Sequence, residues 1–158
     1  KALELTPKKQ QINIVAADIY IAMRQDEKAL EMMSKSYELD KNYDEAAKSL
    51  AVVLVLNDKQ KEAEDLLVEK FGKRILADKQ FVNAYARINN YEAVKEIWQE
   101  IIKNEDTAQN HVSLAATYLK LNDRQNAIKE LEKAIELNPD FKQQGDYFIN
   151  EIKAGRNP

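Results

Sequence analysis

Apolar and polar residues alternate along most of this chain with the period of an α-helix. One stretch has apolar residues at successive spacings of 3, 1, 3, 1 and 3, which lie on one helical face: Tyr43, Ala46, Ala47, Leu50, Ala51 and Leu54. Between such stretches lie short polar pairs that favour turns and caps: Gln25-Asp26, Asn57-Asp58, Asn89-Asn90 and Asn122-Asp123. An alternative is that the valine-rich run from Leu50 to Leu56 forms a buried strand. The pattern as a whole predicts an all-α chain of consecutive amphipathic helices.

The helical pattern also repeats itself along the chain. If Ala108 is position 1, apolar residues and one proline fall at positions 7, 8, 11, 20, 24, 27 and 32: Leu114, Ala115, Tyr118, Ala127, Leu131, Ala134 and Pro139. A large, a small and an aromatic residue on one helix, followed by alanines and a proline stop on the next, resemble the tetratricopeptide repeat. The usual tryptophan at position 4 is replaced by His111.

The alanine at position 20 marks three further copies of this pattern. Its spacings are 34, 30 and 34 residues: Ala29, Ala63, Ala93 and Ala127. We therefore assign repeats to residues 10–43, 44–73, 74–107 and 108–141 of a single array. Residues 1–9 resemble the end of an earlier repeat, through Ala2, Leu5 and Pro7, so we expect the chain to be part of a longer protein. The resemblance implies an α-solenoid of antiparallel helix pairs with a right-handed superhelix.

The last stretch of the chain predicts a capping helix within residues 142–155. Its apolar residues can cover the end of the stack while polar residues face water: Tyr147, Phe148, Ile149 and Ile152. Gly155 and Pro158 then end the helix.

The array departs from its pattern between repeats two and three. The junction is four residues short, and Gly72 is expected to cap a helix in the left-handed conformation with almost no loop before Arg74. Repeat three also has Gln80 and Phe81 at positions 7 and 8. We expect either a local change in superhelical pitch or a divergent repeat with ordinary geometry.

Composition excludes several classes of function. The net charge is −3, from 24 Lys and Arg against 27 Asp and Glu. This balance does not indicate a basic surface that binds nucleic acid or an anionic membrane. The longest apolar run has seven residues, Leu50 to Leu56, too few to span a membrane. There is no cysteine, and this leaves the cytoplasm and the periplasm both open as compartments.

The sequence also predicts no active site. It has one histidine and no glycine-rich phosphate loop, because its three glycines are isolated. The carboxylates Glu62, Glu64, Asp65 and Glu69 lie at helical spacing among Lys59, Lys61 and Lys70, and they are interpreted as a solvated helix face. His111 is interpreted as a packing residue. We therefore predict no catalytic residue, no cofactor and no metal.

The resemblance implies instead a concave groove lined by positions 5, 9 and 12 of each first helix. On this sequence the groove residues are Ile14, Asp18, Ile21, Lys48, Val52, Val55, Val82, Tyr85, Val112 and Leu119. Position 9 holds no asparagine, which argues against the clamp by which some family members hold a C-terminal carboxylate. The stripe is mostly apolar, with Tyr85 as its aromatic anchor.

A protein-binding scaffold that takes an apolar or amphipathic segment of a partner is the function predicted first. Asp18 either binds a Lys or Arg of that segment or pairs with a local group. Lys48 and Asp78 either contact the partner or form an ion pair with each other. Instead of binding a partner, the apolar residues of the groove could serve to pack the first helices of successive repeats against each other. Two other functions stay open: self-assembly, and a soluble appendage of a larger bacterial enzyme bound to a membrane.

Overall fold

The computed structural model describes residues 2–156, with side chains described from Lys9 onward. In this range it contains nine α-helices and one 3-10 turn: α1 Ala2–Ala22, α2 Asp26–Leu39, α3 Asp44–Leu56, α4 Gln60–Phe71, α5 Lys79–Arg87, α6 Tyr91–Asn104, α7 Ala108–Lys120, α8 Arg124–Leu137, the turn Pro139–Phe141 and α9 Lys142–Lys153. The described residues include no strand, so the predicted all-α class is confirmed. Leu50 to Leu56 belong to α3, and the strand alternative is wrong.

The helices are joined where the polar pairs predict turns. At four of these joints a residue just past a helix has a positive φ of about 60°: Arg24, Asp58, Asn89 and Asn122. Asn and Asp tolerate this left-handed conformation because their short side chains bond locally. Asn90 and Asp123 then cap the next helix by accepting bonds from the backbone N–H groups of Ala93 and Asn126.

Helix α1 is longer than the first helix that the repeat pattern predicts. It begins at Ala2 and continues as one helix to Ala22, through the residues assigned to the end of an earlier repeat. The side chains of Ala2, Leu5 and Pro7 lie outside the described side chains.

The connection between α4 and α5 differs from the expectation. Gly72 does cap α4 in the left-handed conformation, with φ 66° and its N–H donating to the Val68 carbonyl. The next helix, however, begins at Lys79 and not near Arg74. Asp78 explains the start of α5, because its carboxylate accepts the N–H of Gln80 at 2.8 Å. The proposed change in superhelical pitch stays a hypothesis.

The chain forms two compact units, described here separately. Unit 1 comprises Lys1–Leu76 with Asn83–Ile88, and unit 2 comprises Ala77–Val82 with Asn89–Pro158. In unit 1, α1 packs on α2, α2 on α3 and α3 on α4. Small and large apolar side chains fill this core: Ala29, Met33, Ala46, Ala47, Ala51, Val53, Ala63 and Leu67. The alanines at position 20 lie fully buried in it.

In unit 2, α6 packs on α7, α7 on α8 and α8 on α9. A Cβ atom at Gly145 would lie 2.7 Å from the side chain of Ile135, so glycine lets α9 lie close to α8. Ile149 and Ile152 are buried, as expected of a capping helix. Tyr147 does not cover the stack, because 58% of it is exposed.

Candidate functional site

The structure places the predicted groove residues on four helices. Ile14, Asp18 and Ile21 lie on α1; Lys48, Val52 and Val55 on α3; Val82 and Tyr85 on α5; Val112 and Leu119 on α7. Ile14, Ile21, Lys48, Val112 and Leu119 are half-buried, and Asp18 is exposed. Accessible groove positions therefore occur on α1 and α3 in unit 1 and on α7 in unit 2.

Four of the predicted groove residues are buried and offer no surface to a ligand: Val52, Val55, Val82 and Tyr85. The reason is visible in α3, where every residue from Ser49 to Leu56 is buried. A helix that is apolar on all sides is surrounded by protein rather than lining a groove. The uninterrupted apolar run from Leu50 to Leu56 was the sequence signal that this part of α3 is buried on all sides.

A cavity of about 220 Å³ lies among α7, α8 and α9 in unit 2. Val112 and Leu119 line it together with Ala116, which is exposed and occupies the groove position between them. The other lining residues were not predicted to bind a partner: Ala115, Leu131, Phe148 and Ile152. The apolar spacing on α9 indicated that Phe148 and Ile152 face the stack, but not that they leave space beside α7.

Asp18 is a predicted groove residue whose carboxyl group has a raised pKa. Partial burial raises the pKa of its carboxyl group, and the nearby Glu45 carboxylate raises it further. Both causes disfavour the charged form in the folded chain. A cationic group placed beside Asp18 and Glu45 would relieve that cost.

His111 links the start of α7 to α8. Its ring is buried, with Nδ1 2.5 Å from a Glu130 oxygen and Nε2 2.7 Å from an Asp106 oxygen. Each ring nitrogen therefore lies at hydrogen-bonding distance from one carboxylate. The side chain therefore joins the connection before α7 to α8, in keeping with its interpretation as a packing residue.

A second polar network, in unit 1, was not found from the sequence. Arg87 Nη2 donates to both carboxylate oxygens of Asp26, at 2.8 and 3.0 Å. The Asn57 amide donates to the Asp26 carbonyl at 2.9 Å and to the Val53 carbonyl at 2.8 Å. These bonds tie the start of α2, the end of α3 and the end of α5 together. Arg87 and Asp26 are 61 positions apart, and no local pattern connects them.

Replacing Arg87 by methionine is expected to lower the free energy of unfolding by about 1–2 kcal/mol, because a charge-assisted bond is lost while the aliphatic stem is kept. Urea denaturation measures the change, and a double-mutant cycle with Asp26→Asn measures the coupling. The control is Lys61→Met, which removes an exposed i,i+4 pair with Asp65 and should change stability by less than about 0.5 kcal/mol. Equal effects of the two substitutions would contradict a structural role for the Arg87 pair.

Neither a metal-binding cluster nor a membrane-spanning helix occurs in the described part of the chain. Within it, no three His, Asp or Glu side chains are grouped so that they could hold a metal ion. None of the described helices combines the length and the hydrophobicity that crossing a membrane requires.

Paired antiparallel helices stacked one on the next define the class of α-helical repeat proteins. The sequence model of the tetratricopeptide repeat matches two segments of this chain, residues 11–43 and 108–141. These two segments coincide with the first and the last full repeat assigned from the sequence, and the predicted resemblance to the tetratricopeptide repeat is confirmed there. A search of curated proteins finds no match to the sequence.

Solved structures of the same fold resemble the chain over most of its length. A crystal structure of MamA has 19% identity and a TM-score of 0.57, covering 94% of this chain and 88% of that one. MamA 41-end from Desulfovibrio magneticus RS-1 has 13% identity and a TM-score of 0.57, covering 93% and 92%. YrrB, described as a TPR protein with an unusual peptide-binding site, has 22% identity and a TM-score of 0.52, covering 87% and 73%. At these identities the likeness shows the fold.

Proposed function

We propose that this chain is a protein-binding module whose unit 2 holds an apolar side chain of a partner segment in the cavity among α7, α8 and α9. The observation that carries the proposal is the meeting of Val112, Ala116 and Leu119 around that cavity. These residues are the position 5, 9 and 12 side chains to which the family resemblance gives a binding role. The peptide-binding site named for YrrB supports the same general use of the fold.

The size and lining of the cavity suit one large apolar side chain. Its 220 Å³ is less than an ordinary small-molecule site, and its lining residues are apolar. Burying a Leu or Phe side chain there would contribute about 1.5–3 kcal/mol. Because a flexible segment must be ordered on binding, we expect a dissociation constant of roughly micromolar size for a short peptide.

In unit 1, the proposed contact is electrostatic. The raised pKa of Asp18, caused by partial burial and then by Glu45, supports a ligand that places a Lys or Arg beside these carboxylates. The half-buried Ile14 and Ile21 lie on the same helix and favour apolar neighbours around that cation.

The test is to select peptides from a random display library on the whole chain and to measure their affinities by fluorescence anisotropy. Two variants alter the cavity in different ways: Leu119→Glu adds a charge, and Ala116→Trp fills the space. Either should weaken binding by about 10-fold or more, as expected from the lost burial of one side chain. Selected peptides should contain a large aliphatic or aromatic residue.

The matched control is Leu137→Glu, the same substitution at a partly exposed site of α8 that does not line the cavity. Circular dichroism should show equal helix content for all variants. The proposal fails if no peptide is enriched, or if the selected peptides bind the cavity variants as tightly as the control.

A further inference from the structure

The apolar cavity of unit 2 lies next to a charged residue at the end of α7. Val112, Ala116 and Lys120 are spaced by four residues, so they form a row on one face of this helix. The first two residues of the row line the cavity. Lys120 is exposed and is the last residue of α7, about 6 Å beyond Ala116 along the helix axis. A segment that fills the cavity and continues past Ala116 therefore meets Lys120.

Lys120 has no ion-pair partner among the residues that the structure describes. Three lysines on the other helices of unit 2 pair with a carboxylate three or four positions away on their own helix: Lys95, Lys133 and Lys142. Helix α7 cannot provide such a pair, because it contains no Asp or Glu. The charge of Lys120 is therefore left to interact with a group from outside this helix.

Two carboxylates near the cavity in the chain are both engaged elsewhere. Asp123 follows the end of α7 by three positions, and its two oxygens accept the backbone N–H of Asn126 at 3.1 Å and the amide of the same side chain at 2.7 Å. Glu151 directly precedes the cavity residue Ile152, and its two oxygens each accept a bond from Arg156 at 2.6 Å. Neither carboxylate neutralises Lys120, so a positive charge remains beside the cavity.

This lysine is not part of the repeat pattern. It occupies position 13 of its repeat, and the matching residues of the other three repeats are Ala22, Leu56 and Ala86. None of these side chains can pair with a carboxylate. The charge therefore belongs to the fourth repeat alone, which is the repeat whose first helix lines the cavity.

We propose that the segment bound in this cavity carries an Asp or Glu side chain that pairs with Lys120, two positions from the apolar side chain that enters the cavity. The inference rests on the proposed function of the cavity and adds the chemistry of its partner. In an extended segment, residues two positions apart point to the same side and lie about 6.6 Å apart. That spacing matches the single helical turn between Ala116 and Lys120.

The ion pair is expected to set preference rather than affinity. Lys120 is exposed, so water and salt screen its interaction with a carboxylate. Loss of its charge should weaken the binding of an acidic segment by about 2- to 5-fold, which is the range of an exposed ion pair. This is less than the roughly 10-fold expected when the apolar side chain loses its place in the cavity.

The test uses the peptides selected on the whole chain. They should carry Asp or Glu two positions from the large apolar residue more often than the unselected library does. One selected peptide is then synthesised with Glu or with Gln at that position, with an amidated C-terminus so that the carboxylate can only be a side chain. By fluorescence anisotropy at low salt, the wild-type chain should bind the Glu form about 2- to 5-fold more tightly. Lys120→Gln should bind both forms equally.

The matched control is Lys129→Gln, which removes the same charge from an exposed lysine of α8 that does not line the cavity. This variant should keep the preference for the Glu form. A wild-type chain that binds both forms equally, or a Lys120→Gln chain that keeps the preference, overturns the inference. The proposed function fails on a different result, because it is judged by whether Leu119→Glu and Ala116→Trp weaken the binding of either form.

Discussion

Replacing Tyr85 by alanine is expected to lower the free energy of unfolding by about 3–5 kcal/mol, the usual cost of deleting a buried aromatic ring. Tyr85 is one of the largest fully buried side chains of the chain, with 2% of its surface exposed. Folded domains are typically stable by only about 5–15 kcal/mol, so the loss should be visible as partial unfolding at 37 °C. Urea denaturation followed by circular dichroism measures it.

Two variants sharpen this test. Tyr85→Phe keeps the ring and removes only the hydroxyl group, so it should cost no more than about 1.5 kcal/mol. Tyr147→Ala removes a ring that is 58% exposed and should change stability by less than about 0.5 kcal/mol. If Tyr85→Ala left stability unchanged but abolished peptide binding, Tyr85 would be a ligand contact and its burial would misrepresent its role.

The position of Tyr85 shows how far the repeat pattern predicts a site. Counting from Arg74 placed Tyr85 at a groove position, but its side chain is buried, as is that of Val55 at the same position of α3. A family pattern gives the average geometry of a repeat. It does not give which of these positions the neighbouring side chains cover.

At the cavity in unit 2, the repeat pattern did predict residues that the structure brings together. The same counting from Ala108 gave Val112 and Leu119, and the structure brings both to one apolar cavity. The contributions of Phe148 and Ile152 could not be predicted, because the space between two packed helices depends on how closely their side chains meet. At Gly145 that distance depends on a single missing Cβ atom.

The fold class and the family were predictable because both depend on patterns repeated several times in the chain. The exposure of three large apolar residues on α1 was not predicted from the sequence. Ile12, Val15 and Ile19 lie among other apolar residues, and which face is exposed depends on the neighbours that are present. Long-range pairs such as Arg87 with Asp26 likewise follow from the three-dimensional structure alone.

Enlarging the repeated alanine at position 20 is the other substitution with a large expected effect. Ala63→Leu should lower the free energy of unfolding by about 1–3 kcal/mol, because extra methylene groups in a packed core force neighbouring side chains and backbone to move. Ala63 is fully buried on α4, and Ala29 and Ala127 are equally buried at the same position of their repeats. The recurrence of alanine at spacings of 34, 30 and 34 residues is thus explained by the close approach of paired helices.

The effect of Ala63→Leu should be local, because each repeat contacts only its neighbours in a solenoid. Hydrogen exchange measured by mass spectrometry should show faster exchange in α3 and α4, with smaller changes in α7 to α9 of unit 2. The control is Val68→Leu, which adds one methylene group to an exposed site of the same helix and should leave exchange unchanged. Uniformly faster exchange in both units would show that the chain unfolds as one cooperative body, and it would refute the local propagation expected of stacked repeats.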